Sequence, residues 1–572
     1  MAQVINNRRV LAIAIPIVLS NITVPILGAV DTAVIGQLGK AAPVAAVGVG
    51  AIIITAFYWI FGFLRMGTTG LVAQALGASD ENEVRAYLLR AIFLGFCAGL
   101  VIFLLRKPLI ELGFWVSPAS NEVEELAEKY FLIRVWSAPA AIALYGVIGW
   151  LIALERTKSV LILQFFMNGV NVILDVWFVL GLNWGIEGVA IATAIAEVSA
   201  LVVGLFLCFD LFKDQSWPKF KTIFDSARLK NMLLINFDIL LRSIMLEAIF
   251  VSFLLFGGNF GDAKLAANQV LLQFLHITAH GLDGFAFAAE TLVGQAIGQR
   301  NRSKLRISVV TSARLASVLC LIMAIVFFLL GPGLIDLMTT ADDVRLQAKS
   351  YLIFVVLVPI FGISAWMLDG IFIGATRTKD MRNMMAISLI AYIVSLVILV
   401  PNFENTGLWM ALLISFIVRG ITLGIKYPNL EKSIQNLLNV LKVVIGRQLD
   451  LFLKFSHLAI MFIFKLFRIE EWQQFEAQGK TNGAPIDVMD GFIHFSKASQ
   501  VKETAAKHFK DDKDLILLSC NADNLKPDLK WEISRGGELF PHLYRELSLK
   551  DIEARYDLPK IDGLHKFPDI IS

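Results

Sequence analysis

Asp31 is the only side chain charged at neutral pH between residues 11 and 38, an otherwise apolar stretch. Such a stretch is long enough to cross a bilayer. A carboxylate inside it costs roughly 2.5–3.5 kcal/mol on insertion scales where it meets lipid, so it is expected to face a protein cavity and act there. Pro16 and Pro25 lie in the same stretch; each removes a backbone hydrogen bond and permits a bend. Asn171 and Asp175 stand four residues apart, which puts an amide and a carboxylate on one helical face, and Thr193 follows across a short glycine-bounded turn. Two carboxylates, an amide and a hydroxyl make an oxygen-rich pocket suited to a proton or a sodium ion. The plainer alternative for Asn171 and Asp175 alone is an interhelical hydrogen-bond patch.

A second polar set falls later in the chain: Asp238, Arg242 and Glu247, then His276, His280, Asp283 and Glu290. His276 and His280 have an i, i+4 spacing, but no third ligand stands at a metalloprotease distance, so no metal is expected. Arg242 is expected to pair with Glu247 or Asp283, either as a structural ion pair or as part of a polyspecific cavity. Arg65, Tyr58 and Trp59 are candidates to line that cavity.

The elements that must position these groups follow from composition. With 572 residues, 57% hydrophobic and 17% charged, and a mean hydropathy of +0.69, most of the chain reads as a polytopic membrane protein. A net charge of +3 gives no reason to expect a nucleic-acid partner. Cys97, Cys208, Cys320 and Cys520 have no paired spacing, which argues against disulfides and zinc. Arg8 and Arg9 precede an apolar run too long for a signal-peptide core, which reads as a retained first span. Apolar runs near 10–38, 46–76, 88–106, 127–154, 157–182, 186–210, 232–257, 264–298, 308–337, 346–375, 381–401 and 407–425 predict about twelve membrane helices. Lys and Arg number roughly eighteen on the side of the N-terminus and roughly seven on the other, placing both ends of the bundle in the cytoplasm.

The halves repeat. Residues 70–77 read GLVAQALG and residues 291–298 read TLVGQAIG, 221 positions on; Arg156-Thr157-Lys158 returns as Arg377-Thr378-Lys379, and Tyr130 as Tyr351, at the same offset. Six helices per repeat is an even number, so the halves share one orientation and are related by an axis along the membrane normal. The offset carries Asp31 to Ser252 and Asp175 to Leu396. The acids are therefore not shared scaffolding, and coupling chemistry is expected in the first half. The boundaries read as six-helix bundles at 1–215 and 216–430, a basic and apolar amphipathic linker at 431–461, and a soluble α+β domain at 462–572.

The segments AVDTAVIGQLG at 29–39, the spacing of Asn171 and Asp175, LAANQ at 265–269 and the block at 283–298 carry a resemblance. Residues 1 to about 430 resemble the multidrug and toxic compound extrusion (MATE) family in its DNA-damage-inducible-F-type branch. The resemblance implies an all-α polytopic membrane protein, twelve transmembrane helices in two six-helix bundles, working as a monomeric, cation-coupled antiporter without a cofactor. Its coupling ion is H+ or Na+, its substrates are amphiphilic or cationic small molecules, and its place is the bacterial inner membrane. It implies an essential acid at Asp31, a cation site of Asn171, Asp175, Thr193 and Tyr130, and a bend near Pro25. A lipid-linked precursor flippase of the same superfamily would need a more cationic cavity than these spans provide. DGFIHFS at 490–496 and WEISRGGELFPHLY at 531–544 resemble a small bacterial family of unknown function whose fold is grouped with ADP-ribosyltransferases. That resemblance makes His494 with Ser496, and Arg535 or Tyr544, the groups that would grip a nicotinamide nucleotide, with no catalytic glutamate evident.

Overall fold

The structure is a computed structural model that describes residues 5–37, 39–116, 119–212, 217–457, 462–534, 538–561 and 563–568; the side chains of 24–29, 211 and 433–457 lie outside that description. It divides into two compact units, Met1–Asn439 and Val440–Ser572.

The first unit is built of helices, because a backbone surrounded by hydrocarbon must satisfy its own hydrogen bonds within each segment. In chain order they are α1 (Asn7–Gly36), α2 (Ala41–Ile60), α3 (Phe63–Gly77), α4 (Glu81–Leu104), α5 (Arg106–Val116), α6 (Asn121–Arg134), α7 (Ala138–Ala153), α8 (Thr157–Asp175) and α9 (Gly185–Cys208) in the first half. The second half holds the short α10 (Phe220–Ile223), α11 (Ser226–Gly257), α12 (Asp262–Gly298), α13 (Arg302–Met338), α14 (Asp342–Gly374) and α15 (Thr378–His457). Nine helical segments among the described residues are long and apolar enough to span a membrane. One of them, Thr378–Lys432, is two helices meeting at Glu404. With α1 and the more polar α12, the twelve expected spans are accounted for.

The repeat extends to single dihedral angles. Ser79, Glu155 and Asn183 adopt left-handed backbone, and so do Arg300, Thr376 and Glu404, each 221 positions further on. Non-glycine residues seldom do this, so three coincidences at one offset reflect a shared fold. Gln74 Nε2 donates to Gly374 O at 2.9 Å, and Gln295 Nε2 donates to Ala153 O at 3.3 Å, again equivalent positions exchanged between halves. A Cβ on Gly77 would lie 2.2 Å from Gln295 O, and one on Gly298 would lie 2.0 Å from Gln74 O. Only glycine permits α3 and α12 to approach that closely. The pseudo-two-fold axis therefore passes between them.

These contacts gather at the end that carries the N-terminus. There Arg9 donates to Glu155 Oε2 at 2.9 Å and to Gln295 Oε1 at 2.8 Å, tying α1, the α7–α8 turn and α12 together. Further along, α1 passes from α12 to the first lobe: Asn21 still donates to His280 O, whereas Val34 and Ile35 are buried wholly among first-lobe residues. One hydrophobic core is shared by both lobes, and each lobe has a private one.

The second unit carries β1 (Phe462–Arg468), α16 (Ile469–Gln478), β2 (Lys480–Thr481), α17 (Pro485–Asp490), β3 (Ile493–His494), β4 (Ser496–Lys497), α18 (Ala498–His508), β5 (Asp514–Asn521), β6 (Leu529–Ile533), β7 (Leu539–Leu543), β8 (Leu547–Ser548), β9 (Ile552–Ile561) and β10 (Leu564–His565). Its main sheet has the order β10-β9-β5-β1-β4, beside a β3-β7-β6 sheet and a β2-β8 pair. The apolar run of β5 is buried on both faces, covered by α16 on one side and α18 on the other. Residues 493–497 form two short strands, β3 and β4, and the chain changes sheets at Phe495 between them. The linker expected at 431–461 is helical to His457, and its side chains lie outside the described residues.

Candidate functional site

The first-lobe pocket assembles from α1, α6, α8 and α9. Asp31 on α1 is 8% exposed, and Asn171 and Asp175 on α8 are 0% exposed. Thr193 on α9 donates to Val189 O at 2.9 Å and accepts from Asn171 Nδ2 at 3.0 Å, so Asn171 aims its carbonyl oxygen the other way. The Asp31 and Asp175 carboxyls are near enough to act on each other. No donor among the described residues reaches Asp31 Oδ1, Asn171 Oδ1 or either oxygen of Asp175. Buried polar atoms are nearly always partnered, so this gathering of bare oxygens is suited to a cation or a proton. Tyr130, fully buried beside Ile35, accepts a hydrogen bond from Arg134 at 3.1 Å.

Directly after Asp175 the helix widens into a π-helical turn, Val176–Gly181, with Leu182 N donating to Trp177 O. Such turns concentrate at functional sites. Nothing in Val-Trp-Phe-Val-Leu-Gly announces it. The second lobe has no such pocket at the equivalent positions. Ser252 stands for Asp31, Tyr392 for Asn171, Leu396 for Asp175 and Ile414 for Thr193, and Ser252 Oγ bonds Tyr392 at 3.4 Å. The α1 backbone stays helical through Pro25, whose ring lies outside the described side chains.

Among the second-lobe candidates Asp283 acts electrostatically with Arg65 and Arg242, and Glu290 with Arg65 and Asp283. Arg242 pairs with Asp369 on α14, not with Glu247 or Asp283 as the sequence suggested; the partner lies 127 residues away and no local pattern reveals it. Arg419 Nη1 also approaches Asp369, at 3.8 Å. Asp238 is held by Arg382 at 2.6 Å and by Thr378 at 3.2 Å. Glu290 is buried with Arg65 Nη1 at 3.8 Å, and that guanidinium lies over Phe287. Glu247 and His276 are exposed, Asp283 and His280 half-buried, and no three-residue metal cluster exists among the described residues. Tyr58 is buried and Trp59 exposed.

In the C-terminal unit β3 and β7 bring His494 opposite His542. His494 Nδ1 is 2.8 Å from Asp487, and His542 Nδ1 is 2.8 Å from Glu532, which also accepts from Tyr544 at 2.7 Å. Phe492 stacks on the His542 ring. Sequence reasoning missed Asp487, Glu532 and Phe492, because their roles depend on strand pairing. Hydrogen bonds from His542 and Tyr544 hold the Glu532 carboxyl below the usual range. Burial alone would raise Asp487, but the His494 hydrogen bond and the paired Lys465 ammonium bring its carboxyl below the usual range. Ser496 belongs to another sheet, bonded to Thr504 on α18 and apart from His494. Arg535 lies outside the described residues.

Comparison with known proteins agrees with this architecture. Residues 16–177 and 239–400 match the MatE family, and residues 466–555 match the family "Protein of unknown function (DUF952)". The chain is 38% identical over 414 residues to DNA damage-inducible protein F of Escherichia coli (strain K12), across 72% of this chain and 90% of the relative. It is 26% identical over 351 residues to the probable multidrug resistance protein NorM of Bacillus cereus, across 58% of this chain and 74% of that protein. The Vibrio cholerae MATE transporter VcmN in its bent form shares the fold, with a TM-score of 0.67 and 21% identity over 75% of this chain and 97% of that one. The two repeated family matches, one in each lobe, and a relative aligned over most of its own length make this chain a member of the MatE family, multi-pass membrane transporters whose relatives include multidrug efflux proteins.

Proposed function

We propose that this protein is a secondary antiporter of the bacterial inner membrane that exports amphipathic and cationic organic solutes in exchange for protons or sodium ions. The observation that carries the reading is the set of donor-free oxygens on Asp31, Asn171 and Asp175. A bound proton or cation gives those oxygens a partner and lowers the negative charge that otherwise stands in the hydrocarbon layer. Binding then favours whichever arrangement of the lobes closes the pocket, and Pro16 and Pro25 give α1 the freedom to bend as it does so. With the N-terminal end in the cytoplasm, lobes joined at that end face outward, poised to release solute and take up the cation. The test is accumulation of a fluorescent organic cation inside inverted vesicles. Asp31→Asn is expected to abolish cation-driven transport while the protein stays folded, and Asp175→Asn to alter the ion dependence; full transport by Asp31→Asn discards the assignment.

A second activity of the C-terminal unit is supported by its two carboxylate-backed imidazoles, which stand beside Phe492 and Tyr544. His494 Nε2 faces Asp490 at 3.5 Å, whereas at His542 a neutral imidazole whose Nδ1–H is engaged by Glu532 presents Nε2 as an acceptor or base. His542 is 5% exposed and its Nε2 is bare. We infer a binding role for a nucleotide. Calorimetry of the full chain in detergent with NAD+ and with AMP is expected to show binding that His542→Ala removes; no heat with either nucleotide rejects this role.

A further inference from the structure

Beside the oxygen pocket lies a buried ion pair that the coupling scheme above does not use. Arg134 on α6 donates to Glu197 Oε1 on α9 at 2.9 Å, and Ser137 Oγ closes the other carboxylate oxygen at 2.5 Å. Arg134 also donates to Tyr130 at 3.1 Å, and its Nε is bare. Desolvating two full charges is costly, and a buried pair replaced by well-packed apolar residues is often no less stable.

The protein itself contains that replacement. At the repeat offset Arg134 becomes Val355, Ser137 becomes Val358 and Glu197 becomes Val418, while Tyr130 remains tyrosine as Tyr351. Val355 and Val358 are fully buried in the second lobe's own core. The fold therefore holds these positions with valine where no pocket is present, and holds a charge pair only where Asp31 and Asp175 are present. The charges are also close enough to matter. Both Arg134 and Glu197 act electrostatically on Asp31, and Arg134 acts on Asp175. The other titratable groups around the pair are Tyr58 on α2, Tyr130 on α6 and Tyr145 on α7, with Arg65 beyond Tyr145.

We propose that Arg134 and Glu197 are positioning residues that set how tightly the Asp31–Asp175 pocket takes its coupling cation, Glu197 holding the Arg134 guanidinium away from the two aspartates. Arg134 is an internal cation. Released from Glu197, it competes with the incoming ion for the same carboxylates; removed, it leaves Glu197 as added negative charge that draws the ion in. The inference rests on the antiporter reading.

The test measures the cation concentration that half-drives organic-cation transport in proteoliposomes, separately for H+ and Na+, using the full chain. Glu197→Gln is expected to raise that concentration at least about tenfold, as expected for an uncompensated charge acting on the carboxylates through a low-dielectric interior. Arg134→Gln is expected to lower it, and the double Arg134→Val, Glu197→Val variant, which copies the second lobe, to return it to within about threefold of wild type. Half-driving concentrations unchanged in both single variants overturn the proposal, as does a double variant shifted as far as Glu197→Gln. If Glu197→Gln fails to fold, the opposite shift in Arg134→Gln and the return in the double variant decide the matter alone. Asp31→Asn run alongside separates the two claims: its full activity sinks the antiporter reading, whereas its inactivity with unshifted Arg134 and Glu197 variants sinks only this inference.

Discussion

At the scale of single side chains, burial without a partner marks the pocket, and burial with one marks the supports. Asp31 and Asp175 keep oxygens that nothing in the described chain satisfies, while Asp487 accepts from Ala484 N, His494 N and the His494 ring and pairs with Lys465. The expected cost of Asp487→Asn is about 3–5 kcal/mol, because the buried Lys465 ammonium is left without its counter-charge. Hydrogen exchange at β1 and β5 measures it, and unchanged protection refutes it. The carboxyl of Asp487 ionises below its ordinary 3.8 in the folded chain, so its contribution is present in full above that value and is lost as pH falls through the lower folded one. The variant is thus expected to show a smaller acid-side loss of stability below about pH 4 than wild type. Asp31, Asn171 and Asp175 were legible in the sequence because charge in an apolar run is conspicuous. The pairing of Arg134 with Glu197 was not, since the two stand 63 residues apart on different helices and no local pattern joins them. Asp369 escaped because its partner Arg242 is remote in the chain.

At the scale of elements, the fold depends on close approach at one end and on left-handed turns at fixed places. The Gly77 and Gly298 contacts leave no room for a side chain against backbone carbonyls of the opposite lobe. Gly298→Val is expected to keep the protein folded in detergent but to part α3 from α12 and reduce transport at least tenfold; wild-type rates from that variant contradict the close-packed axis. Arg300 is exposed and left-handed, with φ 52, so Arg300→Gly is expected to stabilise the first unit by up to about 1 kcal/mol, read as a rise in melting temperature. The twelve spans were readable because hydropathy reports directly on the solvent a helix meets. The π turn after Asp175 and the sheet change at Phe495 were not, because each is imposed by packing against other segments and not by a local breaker.

At the scale of the molecule, two lobes with matching backbones differ in chemistry. The offset that equates their turns sets Ser252, Tyr392 and Leu396 against Asp31, Asn171 and Asp175, so one lobe holds the oxygen-rich pocket and the other holds the same positions with a serine, a tyrosine and a leucine. An asymmetric pair of similar lobes suits a transporter in which one lobe senses the ion and both move. The most direct check uses wild-type proteoliposomes carrying, in turn, a pH gradient, a sodium gradient and neither. Organic-cation accumulation is predicted under at least one imposed gradient, with counterflow of that ion, and its loss in Asp31→Asn. Accumulation that is equal with and without both gradients, or that survives Asp31→Asn undiminished, contradicts the account.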